Sequence, residues 1–142
     1  MARVLVVDDD RAIRELLCFA LECEGYDVKT LPTGEGVVEA LAEAAAPMVV
    51  LMDLMMPRMN GWEVCARLTT APGALAGHAL VVMTASMLEG DEFPAPARVL
   101  LRKPFMLDEV YGLVSALFAE LTVAEAIGQP PRLAVARSPR RR

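Results

Sequence analysis

Cysteine is scarce in this chain and carries no pattern. Cys18 and Cys23 fall on one predicted helix and Cys65 on another, with no metal-ligand spacing among them. That excludes a thiolate metal site or a disulfide framework and leaves reduced thiols used as small hydrophobes. Long apolar runs are also missing: no stretch approaches the roughly 18 residues of a membrane span, so no membrane partner is expected. Met1-Ala2-Arg3 leads straight into an apolar run, leaving no room for a secretory leader, and a cytoplasmic location is expected. The single histidine, His78, has no evident partner in sequence and is expected in a solvated loop. Acid is absent after Gly128, where Arg132, Arg137, Arg140, Arg141 and Arg142 are the only charged residues. Residues 1–128 therefore carry 9 basic against 19 acidic groups, a formal charge of −10. Nucleic acid is not expected as a partner of such a body, whereas a site that takes a cation suits it.

With 142 residues the chain has room for one domain and a tail. Five apolar runs alternate with helical patterns, which predicts βαβ units around a parallel sheet. Val4–Val7 is the first predicted strand. Asp10 caps a helix whose apolar stripe is Ile13, Leu16, Leu17, Ala20 and Leu21, and Gly25 ends it. Tyr26–Leu31 is more polar and belongs at an edge. Thr33 is expected to cap a helix running to about Ala45. Pro47 stops it, and Met48–Met52 follows as a strand apolar throughout, as burial on both faces requires. A third helix is predicted from Trp62 to about Thr70, and Pro72-Gly73 marks a loop. Leu80–Met83 is the fourth strand and Val99–Leu101 the fifth. Between them, Pro94 and Pro96 forbid a long helix within 86–98. The last helix is the clearest, with Leu107, Val110, Leu113, Val114, Leu117, Phe118 and Leu121 on one stripe, ending near Ile127 before Gly128 and Pro130. The domain is expected over 1–121, its last helix reaching about 127, with a flexible Pro- and Arg-rich tail over 128–142.

Crossovers of one hand place the C-terminal ends of parallel strands on a single rim, where ligands of such sheets bind. The residues at those ends are Asp8 and Asp9, Asp53, Thr84 and Lys103. Carboxylates brought together must protonate or take a cation. Hard oxygen donors favour magnesium, which takes one or two carboxylates plus water and a phosphate oxygen. An ammonium at Lys103 and a hydroxyl at Thr84 supply what a phosphoryl group needs, and a carboxylate can serve as its nucleophile.

Val6-Val7-Asp8-Asp9-Asp10, the run Met52–Gly61 (Met-Asp-Leu-Met-Met-Pro-Arg-Met-Asn-Gly), Val82-Met83-Thr84-Ala85 and Lys103-Pro104-Phe105 resemble the receiver domain of two-component response regulators over about residues 2–121. The resemblance implies a (βα)5 flavodoxin-like, doubly wound parallel sheet of strand order 2-1-3-4-5. It implies that Asp53 accepts a phosphoryl group from a sensor histidine kinase or a phosphotransfer protein. Asp9 and Asp53 would hold Mg2+, with Asp8 acting through water and the Met55 carbonyl as a further ligand. Thr84 would be the switch hydroxyl and Lys103 the phosphate contact, followed by a cis bond to Pro104. Such a protein is a phosphoacceptor that catalyses only its own phosphorylation and dephosphorylation. It is expected to signal as a stand-alone regulator through a phosphorylation-dependent contact with an unidentified downstream protein, a homodimer being left open.

Thr84 and Lys103 are 19 positions apart, a few fewer than in the family, which implies a shortened fourth helix. Leu100 stands where the family commonly has Tyr or Phe. Both departures favour, as one alternative, a receiver-like docking module independent of phosphate. A second alternative is a haloacid-dehalogenase-like phosphatase using Asp8 in an Asp-x-Asp motif. Asp53 would then have no role, and no acidic pair follows a later strand.

Overall fold

The computed structural model describes residues 2–85, 94–128 and 136–137. Its elements run β1 (Arg3–Val7), α1 (Arg11–Cys23), β2 (Asp27–Leu31), α2 (Val37–Glu43), β3 (Met48–Asp53), α3 (Gly61–Thr70), α4 (Pro72–Leu75), β4 (Ala79–Thr84), β5 (Val99–Arg102), α5 (Leu107–Ile127) and β6 (Ala136–Arg137). All strand pairs are parallel, in the order β2-β1-β3-β4-β5-β6. The first five therefore have the expected order 2-1-3-4-5. β6 is an addition that no apolar pattern announced. The shortened fourth helix expected between β4 and β5 falls mainly on 86–93, outside the described residues, as does most of the tail.

β3 and β4 are buried along their whole length, because helices cover both faces of the sheet. Consecutive side chains go to opposite cores. Leu5, Val7, Val50, Met52, Leu80 and Val82 pack with Val37 and Leu41 of α2 and Val64 and Leu68 of α3. Val4, Val6, Val49, Leu51, Val81 and Met83 pack with Leu17 and Leu21 of α1 and Val110, Val114, Leu117 and Leu121 of α5. Each fully buried Leu or Val stabilises the fold by about 1.5–3 kcal/mol.

Several local expectations are corrected. Thr33 does not cap α2: its Oγ1 accepts from the Glu35 N–H at 3.2 Å, and Gly36, at φ 91°, is the residue before the helix. The left-handed backbone there delays the helix to Val37, and it ends at Glu43. Pro72–Leu75 forms a single helical turn rather than a loop, Pro fitting its first position. α5 has the length and hydropathy of a membrane span, contrary to expectation, with mean hydropathy 1.6. Its Val110, Val114, Leu117 and Leu121 nonetheless lie against the sheet, while alanines and the exposed Val123 and Ile127 on the outer face add to the hydropathy. His78 is buried, not solvated. Its Nδ1 accepts from the N–H of Met48, the first residue of β3, at 2.9 Å. Burial lowers its pKa below 6.5, opposed by a hydrogen bond with the Leu41 backbone.

Candidate phosphoryl and metal site

Asp8 follows the last residue of β1, Asp53 ends β3, Thr84 ends β4 and Lys103 follows β5. The parallel register sets Asp53 opposite Met83 and Thr84 opposite Arg102, so these ends form one rim. Asp8, Asp53 and Thr84 are buried and Asp9 is exposed. Carboxylate oxygens of Asp8, Asp9 and Asp53 lie within 4.8 Å of one another. The Lys103 ammonium donates to Asp8 Oδ2 at 2.7 Å and to Asp53 Oδ2 at 3.1 Å. Three carboxylates against one ammonium leave a formal deficit of positive charge on the rim.

Each acid is held by backbone as well. Asp53 Oδ1 accepts from the Met55 N–H at 3.1 Å, and Asp8 Oδ1 from the Asp10 N–H at 2.9 Å. The Met55 side chain is exposed beside this turn. Asp10 is a cap, as expected, its Oδ1 accepting from the Ala12 and Ile13 N–H groups. Lys103 is anchored through its own N–H, which donates to the Thr84 carbonyl at 2.9 Å, and its bond to Pro104 is cis. Behind Asp53, Gly61 packs so closely that a Cβ would lie 2.7 Å from the Asp53 carbonyl oxygen and 2.8 Å from Leu54 Cα. Only a residue without a side chain fits there.

Burial pushes the Asp53 carboxyl above the ordinary carboxylate range, against the opposing pull of the Met55 N–H and Lys103. For Lys103, burial favours the neutral amine. The hydrogen bond to Asp8 and the Asp53 charge outweigh it, and the pKa rises. A cationic lysine and a mildly destabilised carboxylate are thus held in contact.

Two contributors escaped the sequence reading. Arg14 on α1 donates from Nη1 to the Asp8 carbonyl at 2.7 Å, fixing the chain as it leaves β1. Asn60 and Glu63 form a reciprocal capping box that starts α3 just after the loop carrying Met55. The spacing Asn-x-x-Glu was the available signal for the second; the first depends on how α1 lies on the sheet.

Residues 4–115 match the family model for the response regulator receiver domain. The chain belongs to that family. Receiver domains are phosphorylated in two-component systems and bind Mg2+ at an acidic pocket. Among similar proteins, the response regulator MprA of Mycolicibacterium vanbaalenii is 35% identical over 130 residues, covering 89% of this chain and 54% of MprA. The DNA-binding dual master transcriptional regulator RpaA of Synechocystis is 34% identical, covering 82% of this chain and 49% of RpaA. The receiver thus spans about half the length of such relatives. A CheY-like receiver domain protein from Methanospirillum hungatei has the same fold at 23% identity, with TM-score 0.74 over 87% of this chain and 98% of that one. TrrA from Thermotoga maritima, solved with Mg2+ and BeF, is 30% identical with TM-score 0.70, covering 82% of this chain and 99% of TrrA. The donor set here fits such an ion. It is all oxygen, it draws on three strand-end carboxylates, and their spacing lies within reach of one small cation with water completing the shell.

Proposed function

We propose that Asp53 accepts a phosphoryl group from a phosphohistidine on a sensor kinase or phosphotransfer protein, and that the phosphorylated receiver acts by contact with another protein. The observation that carries this is Lys103 bridging Asp8 and Asp53 within the acidic cluster. An Asp53 oxygen attacks phosphorus, and the P–N bond to the donor imidazole breaks as the O–P bond forms. The imidazole leaves with that electron pair and takes a proton from solvent. Lys103 then turns from Asp53 toward a phosphoryl oxygen, and the Thr84 hydroxyl donates to another. Asp9, Asp53 and the Met55 carbonyl, with Asp8 acting through water, would hold magnesium, which would supply charge neutralisation when bound. On this reading the chain is a phosphoacceptor that catalyses only its own phosphorylation and dephosphorylation.

The compartment that fits a kinase partner is the cytoplasm. DNA binding, named for RpaA, is not carried over: residues 1–128 bear a charge of −10, and their contacts are expected with protein. A phosphatase using Asp8 fits poorly, because residues 4–115 match the receiver-domain family model and Asp53 would be left without a role. The phosphate-independent docking module keeps one specific support, the buried aliphatic Leu100 where an aromatic ring is usual. The two readings separate on Trp62, half-buried at the start of α3. Beryllofluoride with magnesium is expected to change its fluorescence in the wild type and not in Asp53→Ala. Identical traces for the two proteins would leave only the docking module.

A further inference from the structure

The loop between β3 and α3 must hold its shape, because it gives the Met55 N–H to Asp53 Oδ1 and carries the Met55 carbonyl beside it. Its base is closed by the Gly61 N–H, which donates to the Leu54 carbonyl at 2.9 Å. Its middle is in solvent, with Met55, Pro57 and Arg58 all exposed. Arg58 is left-handed at φ 62°, a conformation that a residue with a side chain keeps only when its surroundings enforce it. The next residue, Met59, meets a distant part of the chain. Gly34, in the β2–α2 connection, donates its N–H to the Met59 carbonyl at 2.8 Å. Gly34 is buried and is not left-handed, so its lack of a side chain answers a need for space. A Cβ there would lie 2.7 Å from the Met59 carbonyl oxygen and 2.5 Å from Val64 Cγ2. The second of these is a side-chain atom; the first is backbone, and it yields only if the loop shifts. Arg67 of α3 adds to the tie, donating to Met59 Sδ at 3.8 Å and to Glu39 of α2 at 2.9 Å.

We propose that Gly34 is a positioning residue for the cation site: through Met59 it pins the 54–60 loop from the α2 side and so holds the Met55 carbonyl in place. This rests on the cation-assisted phosphorylation proposed above. Gly34 itself touches neither cation nor phosphoryl group. Its close approach lets one backbone hydrogen bond fix an otherwise exposed loop, as an outer partner fixes a metal ligand.

The test uses the full chain and Mn2+, which suits the same oxygen donors and whose free form is counted by electron paramagnetic resonance. The wild type is expected to bind Mn2+ saturably and Gly34→Ala to bind it about 10–100-fold more weakly. Gly34→Ala/Val64→Ala removes the clash with Val64 Cγ2 but not the one with the Met59 carbonyl, and it should stay weak. No saturable binding by the wild type would overturn the cation site itself. Wild-type affinity in Gly34→Ala would overturn the positioning role alone, and so would full recovery in the double variant, which would leave Gly34 a packing residue against α3. A second measurement needs no substitution. If the Gly34 tie favours the cation, the cation must favour the tie. Saturating Mg2+ is therefore expected to slow hydrogen exchange of the wild-type Gly34 N–H several-fold, measured by NMR, and to leave the His78 N–H, bonded to the Leu75 carbonyl at the other rim, unchanged. Equal effects on the two amides, or none on Gly34, would overturn the proposal.

Discussion

The two ends of this sheet differ in what they do with buried polar groups. At the C-terminal rim, Asp8, Asp53 and Lys103 are packed together with more negative than positive charge and an exposed acid, Asp9, beside them. At the N-terminal rim, His78 is buried with its Nδ1 accepting from the backbone and its pKa lowered by burial. The open cavity beside it, about 310 Å3, is lined mainly by Ala44, Ala45, Ala46 and Pro47 with Leu121 and Ala124. One end keeps electrostatic demand in reserve for a ligand, whereas at the other the His78 ring has its demand met by backbone. Burial alone therefore does not mark a functional residue; burial with an unbalanced charge does.

That contrast breaks most sharply at Lys103. Lys103→Ala removes the ammonium that bridges Asp8 and Asp53, and phosphorylation by acetyl phosphate with magnesium is expected to slow by about 10²–10³-fold. A change below threefold would place Lys103 with the structural residues. Gly61→Ala comes next. The new Cβ meets backbone of Asp53 and Leu54, and about 1–3 kcal/mol of stability should be lost, measured by urea unfolding, with phosphorylation slowed because Asp53 itself is displaced.

His78→Ala tests the other rim. It leaves the buried Met48 N–H without its acceptor and is expected to cost about 1–3 kcal/mol, while the acetyl phosphate rate stays at the wild-type value. The wild type should also show a pH signature. Burial holds the folded-state pKa of His78 below 6.5, so the unfolded chain takes up the proton first as the pH falls. Stability from this group is full above about 6.5 and is lost as the pH drops from there toward the lower folded-state value. Urea midpoints across that window should decline in the wild type with a slope that His78→Ala lacks. The smallest effect is expected at Met55, whose exposed side chain stands beside Asp53. If it hinders the hydrolytic water, Met55→Asn dephosphorylates several-fold faster; an unchanged or slower rate removes that role.

The difference between the rims also decides what was legible in sequence. Asp8, Asp53, Thr84 and Lys103 each stand where an apolar run stops, and parallel topology then gathers them. His78 gave no such sign, because its burial depends on a turn folding beneath the start of β3, far away in sequence. Arg14 and the Gly36 start of α2 were hidden for the same reason: one is a tertiary hydrogen bond, the other a backbone angle. β6 was invisible because two residues carry no periodicity. The periodic stripe of α5 was plain, yet its hydropathy alone could not separate a core helix from a membrane span.

On the proposed function, the charged rim carries a phosphoryl group on one particular carboxylate, Asp53. Borohydride reduces an acyl phosphate to the corresponding alcohol, so phosphorylated Asp53 would become homoserine, which tandem mass spectrometry can place in the chain. Treatment with acetyl phosphate and magnesium followed by reduction is predicted to convert Asp53 alone, and to convert nothing when magnesium is withheld. Conversion at Asp8 or Asp9, or none with magnesium present, would contradict the account.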